Sequence, residues 1–393
     1  MHRSTQSNLA FSLLTVAIVC LILHGSLYPY DFHGPIGQEG PIATLLGTWD
    51  VPPASSGDLL ANIFLYVPFG FSAAFALSRK ASVWTVTLAG FLLCTTVEIL
   101  QFYDAGRVTS VSDIYLNTAG TLIGAISARK LDARLLKPSE HLNPVPCMLI
   151  AALIGYKLFP YVPTIDLHKY WHSLRPIIEH PAPDLYGVFH YFGLWLATDC
   201  LVATAIKWEE PPWIPVVLFG AFIFGSKVVI VDQVISCSEI IGATSAFLFW
   251  LTLHRRSWTS KIAGVVLCTT VVAQRLAPFN FVNHHADFGW LPFQGFLRGS
   301  LAINIQSMFE KGFLYGSLIW FATLAGVRLP IATAAVATLL LAASAAETYL
   351  PGRSGEITDA ILAVAIGFVI FALQAARKPP PNPAPKAARV GPQ

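Results

Sequence analysis

Apolar residues run in long stretches along the whole chain, and short polar segments separate the stretches. Each stretch covers about 20 residues, which is the length of helix that crosses a hydrocarbon core about 30 Å thick. The pattern predicts an all-α, polytopic membrane helix bundle with about twelve transmembrane helices. The predicted spans are 8–25, 59–78, 82–102, 111–128, 146–162, 186–206, 213–231, 234–253, 260–279, 301–325, 329–349 and 356–376.

The composition supports a membrane protein. Hydrophobic residues make up 54% of the chain, charged residues 12%, and the mean hydropathy is +0.59. Soluble domains carry about 25% charged residues, so a soluble enzyme is excluded. The formal net charge of +3 gives no indication of a nucleic-acid partner.

Both ends of the chain are expected to lie in the cytoplasm. The first apolar stretch ends in His-Gly-Ser-Leu-Tyr at 24–28 rather than in a cleavage site, which favours an uncleaved first span. The proline-rich segment 378–393 is predicted to be a disordered cytoplasmic tail.

Positive charge alternates from loop to loop, which sets the expected orientation. Sixteen of the 25 lysines and arginines fall on one side: Arg3, Arg79, Lys80, Arg129, Lys130, Arg134, Lys137, Lys207, Arg255, Arg256, Lys261, Arg328, Arg377, Lys378, Lys386 and Arg389. The sequence therefore predicts a multi-pass protein of a bacterial-type inner (cytoplasmic) membrane.

A short motif recurs along the chain. It reads Leu-Tyr-Pro-Tyr at 27–30, Leu-Phe-Pro-Tyr at 158–161 and Leu-Ala-Pro-Phe at 276–279. Three further spans follow each copy, so the period is about 125 residues. Parallel repeats occur in membrane transport folds. The pattern predicts three tandem four-helix units at 8–130, 146–254 and 258–377.

The first and third units share two ungapped blocks of polar residues. Asn62 and Asn304 each precede a Gly-Phe pair by eight residues, and Arg107 and Arg353 each precede an aspartate, Asp113 or Asp359, by six. A glutamate, Glu98 or Glu347, stands shortly before each arginine.

These motifs resemble the VanZ-like family of membrane proteins. The family pattern is Asn followed by Pro-Phe-Gly-Phe, then Glu-x-x-Gln, a Pro-Gly-Arg turn and Asp-x-x-x-Asn-x-x-Gly. The first unit carries nearly all of it, with Ala105 in place of the proline of the turn. The third keeps Pro-Gly-Arg at 351–353 but has Glu310 for the helix proline, and the middle unit is degenerate. The resemblance implies a polytopic envelope protein from a family named for a member that lowers susceptibility to teicoplanin.

The polar residues allow two compatible interpretations. Glu98 and Gln101 share a helix face, and Arg107 is expected to reach back to Glu98 or Asp113. This set is either an ion-pair clasp or an outward-facing pocket for an anionic or polyol headgroup, to which arginine offers two-point contact. The candidate residues are Asn62, Glu98, Gln101, Arg107, Asp113, Asn117, Asn304, Glu310, Glu347, Arg353, Glu356 and Asp359.

Other ionisable residues fall within the spans, where unpaired charge is costly. Lys227 is expected to pair with Asp232 or Glu239, whereas Lys157 is expected to reach the membrane interface. The six cysteines stand singly, and no His-Glu-x-x-His spacing occurs, so we expect no metal, disulfide or cofactor.

Three functions remain open. The first is a VanZ-like protein that recognises a membrane lipid or lipid-linked envelope precursor and affects glycopeptide susceptibility or surface polysaccharide handling. The second is a proton-coupled secondary transporter, which the twelve spans and the carboxylates would suit. The third is an enzyme on a lipid-linked substrate, which the sequence favours least because no nucleophile or adjacent histidine accompanies the carboxylates.

Overall fold

The computed structural model describes residues 5–34, 40–51, 56–77, 82–104, 107–134, 142–179, 181–205, 208, 211–298 and 300–377. This part of the chain is helical, and its only β-type pairings are isolated bridges. The helices are α1 (Thr5–Leu27), α2 (Pro41–Leu46), α3 (Ser56–Ala76), α4 (Val83–Gln101), α5 (Val111–Arg134), α6 (Pro144–Lys157), α7 (Leu167–Glu179), α8 (Leu185–Ala205), α9 (Trp213–Val229), α10 (Cys237–Leu253), α11 (Thr259–Leu276), α12 (Gln294–Arg298), α13 (Leu301–Leu324), α14 (Leu329–Glu347) and α15 (Thr358–Arg377).

Each of the twelve predicted spans coincides with a helix. Among the described residues, five helices are long and apolar enough to cross a membrane: α1, α4, α8, α14 and α15. Four shorter apolar segments lie in α3, α6, α9 and α10. The fold is therefore that of a helical membrane protein, and a total of twelve crossings stays a prediction.

Three short helices were not predicted from the apolar pattern. They are α2, α7 and α12, and each lies in a loop that follows one copy of the recurring proline motif. They do not stand out in the apolar pattern because they are too short or too polar to be spans. The predicted tail at 378–393 lies outside the described residues.

The chain divides into two compact units. The first comprises Met1–Pro138 with Phe371–Gln393, and the second comprises Ser139–Ile370. The predicted division into three four-helix units at 8–130, 146–254 and 258–377 stays a prediction.

In the first compact unit, α3 and α5 pack with their backbones in close approach. A Cβ built on Gly70 would lie 2.0 Å from the carbonyl oxygen of Thr121, and one built on Gly124 would lie 2.1 Å from that of Val67. Only glycine fits at such positions, as at the small-residue contacts of other membrane helices. Gly120 and Gly124 of α5 therefore serve this contact.

In the second compact unit, α8 is the most enclosed of the helices that can cross a membrane, because 61% of the residues in its most apolar stretch are buried. It packs against α6, α9, α10 and α11, while α13 packs against α6, α11 and α14. This packing gathers polar side chains from the ends of α6, α9, α10, α11, α14 and α15 and from the first half of α13.

Candidate functional site

The segment after each copy of the proline motif makes the same backbone contact. The N–H group four residues after the proline donates to a carbonyl oxygen at or just after the end of a later apolar helix. The three bonds are His33 to Tyr103 at 2.7 Å, Thr164 to Val229 at 2.9 Å and Val282 to Tyr349 at 2.8 Å. In all three places the motif is therefore tied to the loop or helix end that carries the polar residues.

A side chain four residues after each of these carbonyls reaches back to the motif. Arg107 donates to the carbonyl of Tyr28 at 2.8 Å, and Arg353 donates to that of Ala277 at 3.2 Å. Gln233 donates to the carbonyl of Phe159 in the same way. Each acceptor is the residue that precedes the motif proline, so Gln233 takes the place of the arginine in the middle copy.

This geometry corrects the expected partners of Arg107. Its guanidinium donates to the carbonyl oxygens of Gly25 and Tyr28, rather than to Glu98 or Asp113. The physical reason is the end of α1 at Leu27, where carbonyl groups lack helical partners and the helix dipole favours a cation. Arg107 is a clasp, but it holds the end of α1.

The other candidates in the first unit are tied into the fold by hydrogen bonds. Asn62 donates to Asp113 at 2.7 Å. Glu98 accepts from the backbone of Ser110 at 2.8 Å, and Gln101 donates to the carbonyl of Ser26 at 2.8 Å.

Asn117 lies on α5, one helical turn after Asp113, and is buried. Its Oδ1 atom has no hydrogen-bond partner within the described part of the chain. The first unit therefore presents a compact polar interior in which most candidate side chains already have protein partners.

An acidic residue stands six positions after each of Arg107, Gln233 and Arg353. The three are Asp113, Glu239 and Asp359, each in the first turn of its helix. Each accepts a side-chain hydrogen bond or ion pair, but the donors differ from copy to copy.

In the middle copy, two lysines bind one buried glutamate. The Nζ atoms of Lys157 and Lys227 lie 2.9 Å and 2.5 Å from the Glu239 carboxylate, whose side chain is 1% exposed. Lys227 was expected to pair with Asp232 or Glu239, and the structure shows that its partner is Glu239. The prediction for Lys157 is wrong: this ammonium turns inward because the carboxylate and the ring of Tyr191, 4.8 Å away, both attract it.

In the third copy, Arg275 links two acidic residues. Its guanidinium binds both oxygens of Glu347, at 3.1 Å and 2.5 Å, and also binds Asp359. Lys311 pairs with the other oxygen of Asp359 at 2.7 Å. Glu347 and Asp359 were both candidate residues. The structure brings them together through Arg275, which was not a candidate.

The position of Arg275 in the sequence could have identified it as a paired residue. It stands within the predicted span 260–279 and three residues before the motif proline, in an otherwise apolar context. An arginine at membrane depth is costly unless it is paired, so its position alone indicates acidic partners. The comparison of repeats missed it because no arginine occupies that position in the first copy.

A cavity of about 430 Å³ lies next to this ion-pair cluster. Residues of α11, α12, α13, α14 and α15 and of the Pro-Gly-Arg turn line it. All six candidate residues of the third unit take part: Asn304, Glu310, Glu347, Arg353, Glu356 and Asp359. Gln274, Arg275, Lys311, Tyr315 and Phe296 are further lining residues that were not candidates.

Both signs of charge face the cavity, with one more carboxylate than cations. Arg275 is engaged on all three nitrogens of its guanidinium, with Glu347, Asp359, Tyr315 and Ser344 as partners. Lys311 and Arg353 are more open to solvent. The cavity therefore offers cationic donors and carboxylate acceptors side by side.

Several polar side chains of the cavity bind one another or the backbone. Gln274 donates to Glu310 at 3.1 Å. The Thr358 hydroxyl accepts from the N–H group of Phe293 at 2.8 Å and donates to Glu356 at 2.9 Å. A carboxylate accepts about four hydrogen bonds, so Glu310 and Glu356 keep capacity for a ligand hydroxyl. In the part of the chain that the structure describes, no group of three or more His, Cys, Asp or Glu is arranged to hold a metal ion.

Comparison with known proteins bears on the first unit. Residues 11–133 match the model of the VanZ/LLP1 family. No curated protein and no solved structure matches the chain. The match includes Asn62, Glu98, Gln101, Arg107, Asp113 and Asn117 and ends before the second and third predicted units. Residues 11–133 of this membrane protein are therefore similar to the VanZ/LLP1 family, as their motifs indicate.

Proposed function

We propose that this protein recognises the headgroup of a membrane lipid or lipid-linked envelope precursor in the polar cavity beside Arg275. Its effect would be on glycopeptide susceptibility or on the handling of surface polysaccharide. The observation that carries the proposal is the convergence of six candidate residues on one cavity of about 430 Å³. Ligand pockets have volumes of about 300–1,000 Å³.

The chemistry of the cavity favours a hydroxyl-rich headgroup that carries one negative charge. Glu310 and Glu356 accept from hydroxyl groups, while Lys311 and Arg353 attract phosphate or carboxylate. A headgroup without hydroxyl groups would leave the two glutamates facing its negative charge. The rings of Phe296 and Tyr315 add apolar surface, which suits the faces of a sugar or polyol.

The proposal places the cavity on the outer side of the cytoplasmic membrane, with twelve crossings and both termini inside. The alternation of lysine and arginine supports this orientation. Reporter fusions after Arg79, Arg129, Arg255 and Arg377 should all read cytoplasmic. An external reading at any of the four would contradict the number of spans.

The same proposal regards the chain as three tandem four-helix units. Three recurring features support it. Each copy has the same backbone bond after the motif proline, and a side chain that donates to the residue before that proline. An acidic residue stands six positions after this donor. The acidic residue is Asp113, Glu239 or Asp359, and its partners differ in each unit. In the third unit this residue lines the cavity of about 430 Å³, so that unit is assigned the binding role.

Soluble headgroup analogues test the binding proposal without acyl chains. The full-length protein in detergent is titrated with glycerol phosphate, N-acetylglucosamine and phosphocholine, and heat release and thermal unfolding are measured. We expect glycerol phosphate to bind best, because it offers both hydroxyl groups and an anion. Lys311→Met should selectively weaken the binding of glycerol phosphate. Glu356→Gln should weaken the binding of both glycerol phosphate and N-acetylglucosamine.

Arg256→Gln serves as the control, because Arg256 is exposed and does not line the cavity. It should bind all three compounds as the unmodified protein does. Equal binding of phosphocholine and glycerol phosphate, or normal binding by both cavity variants, would contradict the proposal.

Proton-coupled transport is the second candidate function, and Asp199 favours it. This carboxyl group is buried in α8, and its Oδ2 atom has no hydrogen-bond partner among the described residues. Such a group in a membrane helix is costly and is usually functional.

Proteoliposomes distinguish the two candidates. Accumulation of labelled glycerol phosphate driven by a proton gradient, and lost in Asp199→Asn, would favour transport. Binding without gradient-driven uptake would favour recognition alone.

A further inference from the structure

A second cavity lies between α11, α13 and α14, away from the polar one. Its volume is about 400 Å³, and its wall is almost entirely apolar. Gly264, Cys268, Phe321, Ala322, Ala335 and Leu339 contribute to it, and Lys261 is its only charged lining residue. We call this cavity the apolar groove.

The apolar groove and the headgroup cavity occupy opposite ends of the same helices. On α11 the groove runs from Lys261 to Cys268, whereas the headgroup cavity begins at Val271. Seven residues of helix rise by about 10 Å. One leaflet of the hydrocarbon core is about 15 Å deep, so the groove spans most of one leaflet.

The mouth of the groove is basic. Lys261 lies in the first turn of α11, and Arg328 lies directly before α14. Both side chains are exposed, as is Arg256 in the loop before α11. The segments 254–261 and 325–329 contain no acidic residue. An apolar groove with a basic mouth complements a molecule with a hydrocarbon chain and an anionic head.

We propose that the apolar groove binds an acyl chain of an anionic phospholipid, with its phosphate at Lys261 and Arg328. Basic pockets between membrane helices are suited to such headgroups. The proposal is independent of the headgroup cavity, because the two sites lie at opposite ends of α11, α13 and α14. Under the predicted orientation, this lipid belongs to the cytoplasmic leaflet.

The dimensions of the groove favour a lipid chain over a helix of a partner protein. A helical segment about 10 Å wide and 10 Å long occupies roughly 800 Å³, which is about twice the volume of the groove. A single extended hydrocarbon chain is far narrower. The smaller residues of the wall, among them Gly264, Ala322 and Ala335, leave room for such a chain.

Lipid retention by the full-length protein tests this proposal. The protein is purified in detergent and mixed with phosphatidic acid or phosphatidylcholine of identical chains, and native mass spectrometry counts the retained lipids. Phosphatidic acid has an anionic phosphate but no headgroup hydroxyl groups, so the polar cavity does not favour it. We expect one phosphatidic acid to be retained preferentially. A Lys or Arg near anionic lipid contributes about 1 kcal/mol, so the double variant Lys261→Gln/Arg328→Gln should weaken retention by roughly 30-fold.

Filling the groove separates a specific site from general contact with the bilayer. Ala335→Phe places a ring in the groove and should abolish retention of phosphatidic acid. Ala334→Phe is the matched control, because Ala334 is exposed on the same helix and does not line the groove. Thermal unfolding of both variants verifies that they fold.

Three results would overturn the proposal. The first is equal retention of the two phospholipids, and the second is equal behaviour of Ala334→Phe and Ala335→Phe. The third is a dimer that dissociates only in Ala335→Phe, because a second copy would then occupy the groove. None of these results bears on glycerol phosphate binding at Lys311 and Glu356, so failure of lipid retention is distinct from failure of the proposed function.

Discussion

Lys157 and Arg275 stand at the same point of two copies of one motif, each three residues before its proline. Lys157 binds Glu239, and Arg275 binds Asp359, which is the corresponding acidic residue of the next copy. In the first copy the position is Ser26, which binds Gln101 through its carbonyl oxygen. The motif therefore builds a polar contact at the same place each time, and the choice of side chain decides its charge.

We predict that Arg275→Gln strongly destabilises the protein. The guanidinium neutralises Glu347 and Asp359, whose side chains are only 8% and 10% exposed. Breaking such a pair leaves buried charge without a partner, which costs about 3–5 kcal/mol. Denaturant unfolding of the purified protein in detergent measures the loss.

Arg175→Gln is the control for this experiment. Arg175 pairs with Glu179 at 2.7 Å on α7, but both side chains are about half exposed. An exposed pair contributes about 0–1 kcal/mol. Equal effects of the two substitutions would mean that water screens the Arg275 cluster as fully as it screens the surface pair, which would contradict its role as a buried ion-pair network.

In the middle copy, we predict that a second substitution partly reverses the effect of the first. Glu239→Gln leaves Lys157 and Lys227 close together in a buried site, so it should lower stability by several kcal/mol. Adding Lys227→Met removes one of the two repelling ammonium groups and should restore part of the loss. A double variant that unfolds at the same denaturant concentration as Glu239→Gln would contradict the coupling of the three residues.

The sequence predicted the helices well because apolar length is a property of each segment by itself. All twelve predicted spans are helices. The high cost of buried charge predicted an acidic partner for Lys227, either Asp232 or Glu239, and the structure shows Glu239. The acidic residues Asp113 and Asp359 were found because their spacing from an arginine repeats. These features are local or periodic.

The partners of each charge were not predictable in the same way. Arg107 was expected to bind carboxylates, yet it binds carbonyl groups at the end of α1, which stands about 80 residues earlier in the chain. Arg275 joins Asp359 across 84 residues, and no spacing rule connects them. Long-range pairs depend on how the helices pack, and apolar pattern alone leaves that open.

The glycines of α3 and α5 give a third prediction. Gly124→Ala should destabilise the first unit, because its Cβ would lie 2.1 Å from the carbonyl oxygen of Val67. Forcing α3 and α5 apart costs about 1–3 kcal/mol. Gly220→Ala on α9 is the control, since a Cβ there meets nothing within 4 Å. The control should be neutral or slightly stabilising by helix propensity, and thermal unfolding compares the two.

The last prediction concerns the two motif arginines, which occupy the same place but are held differently. Arg107 makes three hydrogen bonds to the end of α1, whereas Arg353 makes one to Ala277 and lines the headgroup cavity. Lysine keeps the charge but lacks the planar fork. Arg107→Lys should therefore lose about 1–3 kcal/mol of stability, whereas Arg353→Lys should fold almost normally and bind glycerol phosphate more weakly. Unfolding and calorimetric titration of both variants measure the two effects. The reverse pattern, with binding lost in Arg107→Lys at normal stability, would move the binding role to the first unit.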